Sequence, residues 1–82
     1  MQKDKADRML VRIVQEFKTL RIAQGLSHES MAQKSGVTRP AISHIECGKR
    51  KPSLLLSLRL AGALDKNLSD VVRSAEEGEK SK

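Results

Sequence analysis

Residues 27–48, Ser-His-Glu-Ser-Met-Ala-Gln-Lys-Ser-Gly-Val-Thr-Arg-Pro-Ala-Ile-Ser-His-Ile-Glu-Cys-Gly, constrain this chain more than any other stretch. They predict two short amphipathic helices separated by a single glycine. Ser27 and Thr38 each stand where a side-chain oxygen accepts a hydrogen bond from an unpaired backbone N–H at a helix start. Leu26 before the first cap and Met31 after it occupy hydrophobic-staple positions. Gly36 supplies the φ > 0 backbone that a sharp turn between helices needs. Met31, Val37, Ile42 and Ile45 provide apolar contacts, and Ala32 is small where the two helices would approach closely. Helices joined in this way leave the second with an outward face, the arrangement by which a helix enters a DNA major groove.

The rest of the chain reads as support for that unit. An all-α, compact five-helix domain is expected over residues 7–73, with the two helices above as its second and third. In the first helix, Leu10, Ile13, Val14, Phe17 and Leu20 or Arg21 recur at the spacing of one helical face, and Gly25 ends it. Gly48 closes the third helix and is followed by a basic loop, Lys49-Arg50-Lys51-Pro52. Ser53 caps a fourth helix whose Leu54, Leu58, Ala61 and Leu64 are assigned to one inward stripe. Asn67 caps a short fifth helix, with Asp70 as a shortened capping-box partner and Leu68, Val71 and Val72 packing back. Residues 1–6 are expected to be a flexible extension, and residues 74–82, which lack an apolar face, a disordered polar tail.

Composition narrows the function classes. With 82 residues there is room for one domain and a modest core. The formal charge of +6 suits a polyanionic partner. Residues 1–52 hold eleven Lys and Arg against five Asp and Glu, whereas residues 53–82 hold five of each, so the excess travels with the helix pair. No apolar run approaches the roughly 20 residues that span a bilayer, and no signal-peptide core follows the charged start; no membrane association is expected. A single cysteine, Cys47, forms no intrachain disulfide and fits a reducing cytoplasm. Phe17 is the only aromatic residue, so the stacking platforms of single-strand and RNA binders are missing.

The pieces Arg21…Gly25-Leu26-Ser27, Ala32, Gly36-Val37-Thr38, Ile42-Ser43-His44-Ile45-Glu46, Gly48-Lys49-Arg50-Lys51-Pro52-Ser53 and Ala61…Leu64 stand in one order. Together they resemble the XRE/Cro/C1 (lambda-repressor-like) helix-turn-helix family, the small repressors of phages and bacteria. The similarity runs over residues 17–72. It implies a lambda-repressor-like fold and a sequence-specific transcriptional regulator of double-stranded DNA.

The resemblance also implies roles for individual residues. With Thr38 as cap, Arg39, Pro40, Ser43 and His44 face outward at the positions that reach base edges in the family. Arg39 can donate two hydrogen bonds to guanine O6 and N7. His44 can donate or accept and can gain charge in mild acid. Ser43 can serve a base or a phosphate. Pro40, where many relatives carry a polar side chain, can offer only apolar contact, and a first helical turn tolerates it. Phosphate contacts are expected from His28, Thr38, Lys49, Arg50 and Lys51. His28 stands where relatives often carry glutamine. The family commonly pairs an arginine and a glutamate at the places of Arg21 and Glu46, so a structural ion pair is expected there.

Surplus apolar residues suggest an isologous homodimer. Leu55, Leu56, Leu60, Val71 and Val72 are the interface candidates, with Met9 and Val11 as an extension; two recognition helices would then sit roughly 34 Å apart. The ordinary alternative for such residues is scattered exposure. Enzyme readings fare poorly: Cys47 has no partnering base and orienting group. His44 and Cys47, at i and i+3, are too few for a metal site. No catalytic site, metal, cofactor or small-molecule ligand is expected. The reading is a cytoplasmic, bacterial or phage-encoded regulator, a repressor or autoregulatory controller binding a palindromic operator as a dimer, with RNA polymerase or another protein as a further partner. Phage repressors, restriction–modification controllers and antitoxins all resemble it at this size. The second reading is a protein-interaction adaptor or coactivator module, including antitoxin-type partner binding, on the same fold.

Overall fold

The structure, a computed structural model, describes residues 1–80; Ser81 and Lys82, the end of the expected polar tail, lie outside the described residues. Five helices follow in order, α1 Lys3–Ala23, α2 His28–Ser35, α3 Arg39–Glu46, α4 Leu54–Ala63 and α5 Leu68–Lys80, with no strand among the described residues.

The caps explain where the helices start and stop. Ser27, Thr38 and Ser53 accept hydrogen bonds from the backbone N–H groups of Ser30, Ala41 and Leu56, so α2, α3 and α4 begin where short polar side chains satisfy orphan donors. Helix α3 ends in a Schellman turn: Gly48 has φ 81°, its N–H donates to the Ile45 carbonyl, and the Lys49 N–H donates to the His44 carbonyl at 2.8 Å. Helix α4 uses the same device without glycine. Asp65 takes φ 57° there, with the Lys66 N–H donating to the Ala61 carbonyl at 3.0 Å. Aspartate tolerates this left-handed backbone better than most side chains do.

Around these turns one core forms. Phe17 of α1 lies in a cluster with Met31, Val37, Ala41, Ile42, Ile45, Leu60, Ala61, Ala63, Leu64 and Val71, and Ile13, Val14, Leu20, Leu26, Ala32, Leu56 and Leu68 pack against it. Helix α1 packs on α3 and α5, α2 on α3 and α4, and α4 on α5. The α2–α3 pair is thus braced from behind on both members, which leaves one face of α3 free.

Helix α4 differs from expectation. Leu54 and Leu58, assigned to the inward stripe, are 71% and 51% exposed, while Ser57, Leu60, Ala61 and Leu64 are buried. The helix is apolar on most of its circumference, so periodicity alone does not select its inner face. Ser57 can face inward because its hydroxyl donates to the Ser53 carbonyl at 2.9 Å. That rotation puts Leu60 in the core rather than on a dimer surface. Val71 is likewise core, and Leu56 packs against it. Of the five interface candidates only Leu55 is exposed, and Val72 is half-buried.

Both ends also differ from expectation. Residues 1–6 are helical from Lys3, and the fifth helix is not short: it continues through the expected disordered tail to Lys80. The two extensions hold each other. Met9 and Ala75 are buried, and Glu79 accepts hydrogen bonds from Arg8 Nε at 2.9 Å and Arg12 Nε at 2.8 Å. The Ser74 hydroxyl donates to Glu16. Charges that read as a solvated tail find opposite partners on α1. A Cβ at Gly78 would lie 3.0 Å from Arg12 Nη1, the movable end of a long side chain.

Candidate nucleic-acid interface

The turn between α2 and α3 is built from its own sequence. Gly36 adopts φ 72°, and its N–H donates to the Ala32 carbonyl at 2.9 Å. The buried Ser35 hydroxyl accepts from the Val37 N–H at 3.1 Å, so a polar group inside the turn is satisfied. Pro40, second in α3, lacks an N–H that would have no helical partner there. Ala41, Ile42 and Ile45 are buried on the inner face of α3.

The opposite face carries the sequence-predicted reading residues. Arg39, Pro40 and His44 are exposed and Ser43 is half-buried, so all four lie off the packed side of one short helix. Lys49, Arg50 and Lys51 follow the Schellman turn and are all exposed, a run of three cations beside that face. Thr38 is exposed too; its Oγ1 accepts the capping bond at 3.3 Å, which leaves its O–H able to donate outward.

His28, expected to contact a phosphate, also has a partner within the protein. Its Nε2 lies 3.0 Å from Glu46 Oε1, so one ring nitrogen is committed to the protein. Glu46 is the hub of this cluster. Arg21 Nε donates to Oε2 at 2.7 Å and Arg21 Nη2 to Oε1 at 2.9 Å. Arg21 Nη1 also donates to the Leu26 carbonyl at 2.7 Å. Burial pushes the Glu46 carboxyl up, but the hydrogen bonds and charges of Arg21 and His28 outweigh it and hold the group below the ordinary carboxylate value. The cluster ties α1, the approach to α2 and the end of α3 together, and so sets the attitude of the reading helix.

Sequence reasoning missed His28 as a member of this cluster and the third Arg21 bond, because neither follows from spacing. It also missed Gln24 Nε2 donating to the Leu64 carbonyl at 2.9 Å, which joins the ends of α1 and α4. Cys47 is exposed at the end of α3, its thiol 3.6 Å from the His44 carbonyl. Among the described residues, no group of three or more His, Cys, Asp or Glu is placed to hold a metal ion. Among the described residues, no helix is long and apolar enough to cross a membrane.

Comparison with known proteins agrees with this geometry. A sequence model of the helix-turn-helix family matches residues 17–71. The chain is 40% identical over 62 residues to the HTH-type transcriptional regulator YgzD of Bacillus subtilis, covering 76% of this chain and 94% of that protein. It is 40% identical over 57 residues to an HTH-type transcriptional regulator of Methanothermobacter thermautotrophicus, covering 68% of this chain and 83% of that one. In three dimensions it is similar to the restriction-modification controller protein C.AhdI of Aeromonas hydrophila, with a TM-score of 0.70 and 40% identity over 76% of this chain and 94% of the other. A helix pair with one unpacked, basic-flanked face, embedded in sequence that matches the family over most of its length, leads to one conclusion: the chain belongs to the XRE/Cro/C1-type helix-turn-helix family and is a DNA-binding transcriptional regulator.

Proposed function

We propose that this regulator reads a palindromic operator in double-stranded DNA as a homodimer, and acts as a repressor or autoregulatory controller. The observation that carries the reading is the outer face of α3, where Arg39, Pro40, Ser43 and His44 stand clear of the core beside the exposed residues 49–51. Arg39, His44 and Ser43 read base edges, Pro40 offers apolar contact, and Thr38, Lys49, Arg50 and Lys51 hold the phosphates that fix register. The protein acts by binding, without catalysis, in the cytoplasm. A dimer bound over a promoter excludes RNA polymerase, and one bound beside it can recruit the enzyme. The likeness to C.AhdI supports a restriction–modification controller as the more specific role.

The homodimer is supported by the apolar side chains left uncovered on α4. Leu54, Leu55 and Leu58 are exposed, a surface that costs free energy in water and that a second copy would cover. With Leu60 and Val71 in the core, the seam lies on this outer side of α4, with Val72 of α5 as a candidate neighbour. The same leucines support the second reading, an adaptor that binds another protein.

Selection of bound duplexes from a random DNA library tests the proposal. An enriched inverted repeat with half-sites about 10 base pairs apart supports a dimeric sequence reader. Absence of enrichment, with only weak and steeply salt-sensitive binding, overturns it and moves attention to the leucines.

A further inference from the structure

The bond between His28 and Glu46 dictates a proton position. Glu46 is ionised at neutral pH, and an ionised carboxylate only accepts hydrogen bonds. At 3.0 Å from Oε1, His28 Nε2 must therefore carry its hydrogen. In the neutral ring that leaves Nδ1 as a bare lone pair, which a phosphate oxygen repels. Protonation converts Nδ1 into a charged N–H donor without disturbing the Glu46 bond.

We propose that His28 engages the DNA backbone only as the imidazolium, so that DNA binding takes up a proton and affinity rises as pH falls from 8 to 6. This rests on the reading of the α2–α3 pair as the DNA-binding unit. Of the elements packed against α2, α3 presents Glu46 to His28, and Arg21 of α1 meets the same carboxylate. The only charged residue of α4, Arg59, is exposed, as is Glu29 beside His28 on α2. Neutral His28 leaves the Arg21–Glu46–His28 cluster with no net charge. Protonated His28 gives it one positive charge, which a polyanion stabilises. Histidine is the side chain whose charge ordinarily changes between about pH 5 and 8.

The experiment compares the full chain with His28→Gln and His44→Gln, measuring binding to a labelled duplex of random sequence at fixed low salt, at pH 6 and pH 8. Backbone contacts do not depend on sequence, so a random duplex reports on His28 even where no operator is selected. Glutamine keeps an N–H for Glu46 but does not titrate, and thermal melts establish that each variant is folded. Linkage allows at most a tenfold change per pH unit for one proton. The parent is expected to bind several-fold to about tenfold more tightly at pH 6, His44→Gln to retain most of that gain, and His28→Gln to lose it. Calorimetry of the parent in buffers of different ionisation enthalpy should show net proton uptake on binding. A His28→Gln variant that keeps the parent's pH slope overturns the inference, as does a parent that binds equally at both pH values with no proton uptake. A parent that binds no duplex at either pH overturns the DNA-interface reading itself, which distinguishes the two failures.

Discussion

Arg21 of α1 grips Glu46, the last residue of α3, with Nε on one carboxylate oxygen at 2.7 Å and Nη2 on the other at 2.9 Å. The third guanidinium nitrogen holds the Leu26 carbonyl just before α2. One side chain thus braces the end of the reading helix and the entrance to its partner. Both members of the pair are largely buried, with side chains 12% and 10% exposed. Breaking such a pair leaves an uncompensated charge, which is costlier than the pair itself is stabilising.

Replacing Glu46 with alanine should therefore cost about 3 kcal/mol of stability. For a domain of this size that is a fall in thermal midpoint on the order of 15 °C. Thermal denaturation followed by circular dichroism checks it; equal midpoints for variant and parent would contradict the role assigned to the pair.

Acid should act through the same carboxylate. Folding lowers the Glu46 pKa below its ordinary value of about 4.5, so its contribution is fully present above that value and is lost as pH falls through the folded-state pKa. Stability should drop with falling pH in that window. The drop should be shallower in Glu46→Gln, which has no charge to lose. Urea titrations at a series of acidic pH values compare the two slopes.

Arg39 is expected to act on binding and not on folding. Arg39→Ala should weaken binding to the selected operator by about 1–3 kcal/mol and leave affinity for random duplex nearly unchanged. Removing the charge of Lys49, Arg50 or Lys51 should weaken both about equally, and each phosphate left without its cation should reduce the salt slope by about 1. An Arg39 variant that reads its operator as the parent does would favour the adaptor reading.

The rotation of α4 separates two leucines that look alike in sequence. Leu60→Ala removes a side chain only 2% exposed and should cost about 2–5 kcal/mol. Leu55→Ser alters a residue 56% exposed and should leave the melting temperature of the fold nearly unchanged while raising the dimer dissociation constant. Sedimentation equilibrium and thermal melts on both variants test the pair of expectations. A Leu55→Ser chain that dimerises like the parent places the seam elsewhere.

The clasp between the chain ends should matter locally. Glu79 accepts from two arginines, but Arg8 is exposed, and solvent screens that pair. Glu79→Ala should raise amide exchange in the last two turns of α5 and at the start of α1, with little change in the global melting temperature. Exchange measured residue by residue distinguishes this from a loss spread over the whole domain.

Local signals determined most of what reads directly from this chain. Caps at Ser27, Thr38 and Ser53, glycines at the ends of α1, α2 and α3, and the alternation of inner Ala41, Ile42 and Ile45 with outer Arg39, Ser43 and His44 each act within a few residues. Backbone hydrogen bonds at helix ends and the 3.6-residue period are local physics, so the sequence alone determines the helix pair and the face it offers. The tertiary structure decided what depends on partners far along the chain. An all-round apolar α4 has no preferred face until α2 and α5 choose one, which sends Leu60 inward and Leu58 outward. The tail after Ser74 has too little apolar surface to order itself, and becomes helix because Arg8, Arg12 and Glu16 of α1 meet it. His28 reads as a surface residue until Glu46, 18 positions away, takes up one of its nitrogens. In each case the deciding energy comes from contacts that exist only once the helices have packed.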